Sequence, residues 1–132
     1  MRTLIVCCDN RGGMMFNNRR QSRDSRLNEK LLEIFGEEHL FIAEYSRTLF
    51  PDCPIFQNYE NDGAYFMENP DWIPVVEDVF EQIIVVKWNR DYPFDKKIPF
   101  SLKWYKLRKL IEFEGDSHDK ISMEFYEKRG DI

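Results

Sequence analysis

The sequence predicts an α/β protein with a mixed, mainly parallel sheet that is flanked by helices and ends in an antiparallel β-hairpin. Two continuously apolar runs, residues 3–8 and 82–88, have the pattern of central strands that are covered on both faces. Helical and strand-like segments alternate between them, as they do in a parallel sheet. Near the end of the chain, Ile121, Met123 and Phe125 alternate with polar residues, which is typical of a hairpin strand with one covered face.

The first helix is predicted directly after an arginine-rich segment, residues 14–23, which has no clear period and is expected to be a loop. Ser22, Asp24 or Ser25 caps the start of this helix, and Gly36 stands where a C-terminal glycine belongs. The stripe that it buries consists of apolar residues at i, i+4, i+7 and i+8: Leu27, Leu31, Ile34 and Phe35.

The remaining elements follow from apolar runs and from turn residues. Asn69 and Pro70 open a second helix, and Pro74 is expected to delay or kink it because proline conflicts with a regular first turn. In chain order, the other predicted segments are a buried strand at 39–43, a short helical turn up to 49, an irregular stretch at 51–63, a short strand at 65–67, a loop at 89–99, and hairpin strands at 107–114 and 121–128.

Length and composition favour one domain, because 132 residues with a hydrophobic fraction of 42% can bury a substantial core. The first eight residues lack the layout of a signal peptide, and no apolar stretch approaches the roughly twenty residues that span a bilayer. A cytoplasmic protein without a membrane partner is therefore expected. The three cysteines, Cys7, Cys8 and Cys53, cannot form a closed set of disulfide pairs, and we expect them to be reduced.

Charge is distributed unevenly along the chain. Residues 11–26 contain five arginines and one acid, Asp24, whereas residues 48–86 contain eight acids and no lysine or arginine. The net charge of -5 argues against nucleic acid as a partner, since such binding needs a positive footprint. His39 and His118 lack cysteine or histidine neighbours at ligand spacing, so no metal site is expected.

Several segments occur in an order and spacing that are characteristic of one enzyme family. Gly13 and Met14 with Asn17 follow the first strand, and the second strand leads into residues 42–47. Residues 65–95 then give strand, helix and strand without a gap, and a terminal hairpin closes the chain. This order resembles the dihydrofolate reductases over most of the chain, apart from a missing portion before the third strand. The resemblance implies their fold and, if their motifs were intact, sites for NADPH and folate.

The binding motifs of that family are replaced. Its folate-anchoring carboxylate falls near Arg26, which would repel a protonated pterin. Its phosphate-binding arginine is replaced by Glu44, although the hydroxyl of the same motif survives as Ser46. Its diglycine, which lets a pyrophosphate approach the backbone, reads Glu68 and Asn69. These departures argue against dihydrofolate reductase activity, and we expect no cofactor, with NADPH as the alternative.

The basic loop before the first helix is the leading candidate site, because arginine pairs bidentately with phosphate or carboxylate and a helix N-terminus favours anions. The alternative is a solvated loop that balances the acidic middle of the chain. If the family geometry holds, the acidic replacements lie together at strand ends, where they pair with the arginines or act as a catalytic pair of carboxylates. No catalytic residue is assigned, and the candidate ligand-binding residues are Arg19, Arg20, Ser22, Arg23, Arg26, Glu44, Ser46, Glu68 and Asn69.

Three functions stay open at this point. The first is a protein without reductase activity that binds a small anionic or nucleotide-like ligand through the arginine loop. The second is a diverged NADPH-dependent reductase, and the third is a structural or interaction module whose cleft is closed by arginine–glutamate pairs. The aromatic residues between 88 and 105 are expected to be mostly core, with a stacking surface or a homodimer contact as the alternative.

Overall fold

A computed structural model describes residues 1–130 of the chain. Its strands are β1 (Arg2–Cys8), β2 (Gly13–Phe16), β3 (Arg19–Arg20), β4 (Leu40–Ile42), β5 (Gly63–Phe66), β6 (Gln82–Lys87), β7 (Lys96–Lys97), β8 (Tyr105–Phe113) and β9 (Ile121–Lys128). Its helices are α1 (Ser25–Phe35) and α2 (Val76–Val79), with short 3-10 turns at Glu37–His39, Glu44–Ser46 and Pro70–Trp72.

Six strands form the main sheet in the order β4-β5-β1-β6-β9-β8. The first four strands are parallel to one another, whereas β9 pairs antiparallel with both β6 and β8. This is the predicted mixed, mainly parallel sheet with a terminal hairpin. A second, three-stranded sheet of β3, β2 and β7 was not predicted.

The main sheet separates two apolar layers, and β1 contributes to both. Ile5 packs in the layer that contains α1, whereas Leu4 and Val6 pack in the layer that contains Val76 of α2. Cys7 and Cys8 likewise contact different layers, as their adjacent positions in a strand require. The central strands are therefore covered on both faces, which is why they are almost uninterrupted apolar runs.

The ends of α1 follow the predicted capping. Asp24 is the N-cap and accepts a hydrogen bond from the backbone N–H of Arg26 at 3.0 Å. Gly36 ends the helix with φ of +80°, a conformation that costs glycine little. Leu27 and Leu31 are buried as predicted and Phe35 packs against the same core, but Ile34 is 41% exposed.

Two predicted loops contain short strands. Residues 14–23 form most of the β2–β3 hairpin, whose two turn residues, Asn17 and Asn18, both have positive φ. Such a turn matches the twist of the strands, and asparagine tolerates it better than most residues. The predicted loop at 89–99 contains β7, which pairs with β2.

The segment between β5 and β6 is less helical than predicted. Asn69 caps only a 3-10 turn, and α2 is a single turn that begins after Pro74. The expected delay at this proline therefore takes place. Within residues 1–130, no helix is long and apolar enough to cross a membrane.

Candidate functional site

An arginine–glutamate pair lies at the carboxyl ends of β4 and β5. Glu68 lies two residues beyond β5, and Arg20 reaches it from β3. Arg20 Nε donates to Glu68 Oε1 at 2.7 Å and Nη2 donates to Oε2 at 2.9 Å, a bidentate arrangement. The two side chains are only 20% and 9% exposed, so the pair is well protected from solvent.

The turn after β4 holds this pair in place. Ser46 is fully buried and its hydroxyl donates to Glu68 Oε2 at 2.8 Å. The guanidinium of Arg20 stacks on the ring of Tyr45 at 4.7 Å, and Nη2 also donates to the Tyr45 carbonyl at 3.2 Å. The side-chain hydrogen bond to Glu68 outweighs burial and raises the pKa of Arg20. Nε and Nη2 of Arg20 and the hydroxyl of Ser46 therefore all donate to the protein's own acceptors.

A small inner cavity remains beneath the pair. Its volume is about 10 Å³, which is room for about one water molecule. Burial, and then the nearby charge of Glu68, raise the pKa of the Cys7 thiol in its wall. Besides Arg20 and Glu68, the lining side chains are Cys7, Met14, Gln21, Ser22 and Trp88.

A second buried carboxylate, Asp24, joins α1 to the β8–β9 hairpin. It accepts from the backbone N–H groups of Asp116 and Ser117, both at 2.9 Å, and from His118 Nδ1 at 2.8 Å. Burial opposes the charged form, but these hydrogen bonds outweigh burial and hold the pKa of Asp24 well below its usual range. A Cβ on Gly115 would lie 2.5 Å from Asp24 Oδ2, so the turn needs glycine for this close approach.

His118 continues this network toward the inner cavity. Its Nε2 lies 3.0 Å from Ser22 Oγ and also 3.0 Å from the Tyr92 hydroxyl, and its ring stacks on Trp88 at 4.7 Å. Asp24, His118 and Ser22 thus follow the order of a hydrolytic triad. His118 is only 3% exposed, however, and the inner cavity beside Ser22 is too small to admit an acyl group. The network therefore acts as a structural clamp between the hairpin turn and the start of α1.

Comparison with known proteins supports the fold and gives no information on the site. No family model matches the chain, and no curated protein matches its sequence. A solved dihydrofolate reductase from Enterococcus faecalis, complexed with NADP(H) and RAB-propyl, matches with a TM-score of 0.71. The match covers 98% of this chain and 96% of that one, at 8% sequence identity. The chain has a dihydrofolate reductase-like fold.

Within this dihydrofolate reductase-like fold, the arginines of the basic loop do not converge. Arg19 is exposed and lines an open outer pocket of about 460 Å³. Arg23 and Arg26 are exposed at two other surface depressions, one beside Ser117 and one beside Phe113. The outer pocket is lined by Phe16, Asn17, Arg19, Arg20, Gln21, Tyr92 and Pro93.

The three candidates Glu44, Glu68 and Asn69 also lie apart from one another in their contacts. Glu68 lies in the cleft, but Glu44 is exposed and pairs with Arg47 at 3.1 Å, so the prediction that Glu44 faces the cleft is wrong. The 3-10 turn at this point directs Ser46 inward and leaves Glu44 outside. Asn69 accepts from the backbone N–H of Asp71 and so caps the next turn. A catalytic pair of carboxylates from Glu44 and Glu68 is therefore not formed.

Sequence reasoning missed the partners that complete the site. Tyr45 gave no functional signal, Trp88 was expected to be core with a stacking surface or a homodimer contact as the alternative, and His118 was considered only as a metal ligand. Asp24 and His118 are 94 positions apart, so no local spacing connects them. Within the part of the chain that the structure describes, no group of three or more His, Cys, Asp or Glu side chains is placed to hold a metal ion.

Proposed function

We propose that this chain is a structural or interaction module on a dihydrofolate reductase-like fold, without reductase activity. The observation that carries this proposal is the closed cleft. The Arg20–Glu68 pair and Ser46 fill the carboxyl ends of β4 and β5, and only about 10 Å³ of inner cavity remains below them. Ligand pockets generally need about 300 Å³ or more.

The residues of the cleft do not fit a nicotinamide dinucleotide. The matched Enterococcus faecalis reductase was solved with NADP(H), but here a pyrophosphate at these strand ends would meet the carboxylate of Glu68. Arg20 offers it little attraction, because two of its three guanidinium nitrogens already bind that carboxylate and its charge is offset by Glu68. Separating the pair would leave a shielded charge unpaired, which costs about 3 kcal/mol. That cost alone weakens a ligand's affinity by roughly a hundredfold.

A folate-type ligand lacks an anchor for the same reason. Arg26, at the position that the family resemblance assigns to the anchoring carboxylate, is exposed on the first turn of α1. The carboxylate nearest to it in sequence, Asp24, is 2% exposed and already accepts four hydrogen bonds from backbone and histidine donors. A pterin could bind it only by breaking the clamp between the hairpin and α1.

A second candidate function is binding of a small anionic or nucleotide-like ligand in the outer pocket. Its volume of about 460 Å³ falls within the range of ligand sites. Phe16 is 42% exposed and offers a ring for stacking in the pocket that Tyr92 also lines. Arg19 supplies a charge for a phosphate or carboxylate, whereas the charge of Arg20 is offset by Glu68.

Thermal unfolding with added ligands tests these proposals. For the wild-type chain we expect no change in Tm with NADPH or dihydrofolate at about 1 mM, because a ligand stabilises the native state only where it binds that state. Glu68→Ala frees the donors of Arg20 and Ser46, so inorganic phosphate should raise the Tm of this variant by several degrees. Glu44→Ala removes an exposed glutamate and is the matched control that should not respond.

Two outcomes decide between the candidates. Saturable stabilisation of the wild-type chain by NADPH, accompanied by NADPH oxidation with dihydrofolate, would overturn the closed-cleft proposal. Stabilisation of the wild-type chain by ATP or phosphate that disappears in Arg19→Ala would instead support ligand binding in the outer pocket. A phosphate response of Glu68→Ala alone supports the closed cleft.

A further inference from the structure

The last strand of the main sheet, β8, has an exposed outer edge. It lies at the end of the strand order and has no partner on that side among residues 1–130. Residues 106–110 are all exposed, and they include two large apolar side chains, Leu107 at 47% and Leu110 at 52%. An open edge strand of this length is a template for pairing with another strand.

The sequence of this edge is complementary to itself when read in the opposite direction. Its first half is basic and its second half is acidic, with Leu110 between them. We propose that β8 pairs antiparallel with β8 of a second copy of this chain, across a twofold axis at Leu110. In this arrangement Arg108 lies opposite Glu112 of the second copy, and Lys109 lies opposite Ile111.

The alternative registers are less favourable. Directly opposed residues in an antiparallel pair have their side chains on the same face of the sheet. A symmetric pair of this kind has its twofold axis at a residue, so each alternative register places the axis at a neighbouring residue. A shift of the axis to Lys109 places two lysines opposite each other. A shift to Ile111 places Leu110 opposite Glu112. Within residues 105–114, the axis at Leu110 gives two kinds of opposite-charge pair, Arg108 with Glu112 and Lys106 with Glu114, whereas each of the other two axes gives only one.

The present contacts of the edge are compatible with this pairing. Within one copy, Arg108 lies 3.9 Å from Glu127, and Glu112 lies 3.2 Å from Lys120. All four side chains are at least 43% exposed. Exposed pairs of this kind contribute little to stability, so they exchange easily for contacts with the second copy. The register with β9 shifts between Leu107 and Lys109, so Arg108 has no partner in β9 and the regular part of the edge spans residues 109–113. The expected ladder is therefore short, and its dissociation constant should be micromolar.

This inference does not rest on the proposed function of the cleft. The Arg20–Glu68 pair lies beside β4 and β5, which are at the opposite edge of the main sheet from β8. Loss of the dimer would therefore leave the ligand responses of the cleft unchanged.

Sedimentation equilibrium of the full chain over a range of concentrations tests the dimer. We expect the average mass to rise from one chain to two as the concentration passes through the micromolar range. Leu110→Lys places two positive charges at the axis and should weaken the dimer at least tenfold. Trp72→Lys is the matched control, because Trp72 is also 52% exposed but lies away from β8, and it should leave the dissociation constant unchanged.

A charge exchange fixes the register. Arg108→Glu alone should weaken the dimer, since two acidic side chains would then face each other. The double variant Arg108→Glu with Glu112→Arg restores opposite charges and should recover wild-type association. A wild-type chain that stays monomeric at several hundred micromolar overturns the inference. A dimer that is insensitive to Leu110→Lys also overturns it. If the double variant fails to recover association, the register with its axis at Leu110 is wrong.

Discussion

Replacing Asp24 with asparagine should destabilise the chain strongly, although asparagine is also a good helix N-cap. Asp24 uses both carboxylate oxygens, because Oδ1 accepts from Arg26 and Asp116 and Oδ2 accepts from Ser117 and His118. Asparagine keeps one oxygen and turns an NH₂ group toward the donors that Oδ2 now satisfies. The helix cap survives, but the clamp on the hairpin turn does not.

The size of the effect follows from the two contacts that are lost. Hydrogen bonds to a charged acceptor contribute about 1.5–3 kcal/mol each, and a buried donor left without a partner has its own cost. His118 is 3% exposed, and the ring can move its proton to the other nitrogen to recover part of the loss. We therefore expect Asp24→Asn to lower the free energy of unfolding by about 3 kcal/mol at neutral pH.

Urea unfolding as a function of pH checks the mechanism. The pKa of Asp24 is lower in the folded chain than in the unfolded chain. Its contribution is therefore complete above the unfolded pKa of about 3.9 and is lost as the pH falls toward the folded pKa. The stability difference between the wild-type chain and Asp24→Asn should be constant from pH 7 to 5 and should shrink below pH 4.

The control is Asp119→Asn, which removes the same charge from the same turn at an exposed position. It should change stability by less than about 0.5 kcal/mol. The reasoning is refuted if Asp24→Asn unfolds like this control. It is also refuted if its deficit does not shrink between pH 5 and pH 2, because over this range the unfolded wild-type chain takes up a proton at Asp24 that the folded chain does not.

Three further predictions concern the fold around the site. Gly115→Ala should cost about 2–3 kcal/mol in urea unfolding, because its Cβ would lie 2.5 Å from Asp24 Oδ2; a neutral effect would mean that the turn is loose. Burial raises the pKa of the Cys8 thiol to about 11 and that of Cys7 well above its ordinary value, so both should resist alkylation at pH 7.5 until urea is added. Asn18 has φ of +59°, so Asn18→Gly should preserve the Tm whereas Asn18→Ala should lower the free energy of unfolding by about 1 kcal/mol.

The elements that were predictable are those with a strong local pattern. The apolar runs of β1 and β6 and the buried leucines of α1 carry their periodicity in neighbouring residues. The β2–β3 hairpin was missed because two of its residues, Met14 and Met15, are buried in succession and conceal the alternation of a strand. Its asparagine pair was the available signal for the turn.

The site was only partly predictable, because its contacts join distant parts of the chain. Family resemblance placed Glu68 near the cleft, but which arginine meets it depends on the β2–β3 hairpin, which presents Arg20 and turns Arg19 outward. The error at Glu44 has a similar origin. A single 3-10 turn decides whether Glu44 or Ser46 points inward, and neither composition nor charge determines that turn.

Unpaired polar atoms bear on the ligand that we propose for the outer pocket. A binding site must leave some donors or acceptors free for its ligand, since groups that are fully paired internally gain nothing from binding. Glu68, Ser46 and Asp24 are paired with the chain's own donors and hydroxyls. Among the described residues, the buried side-chain atom without a partner is Gln21 Oε1. Gln21 lines both the inner cavity and the outer pocket, so the ligand that we propose for the outer pocket would satisfy this acceptor only after the Gln21 side chain turned toward it.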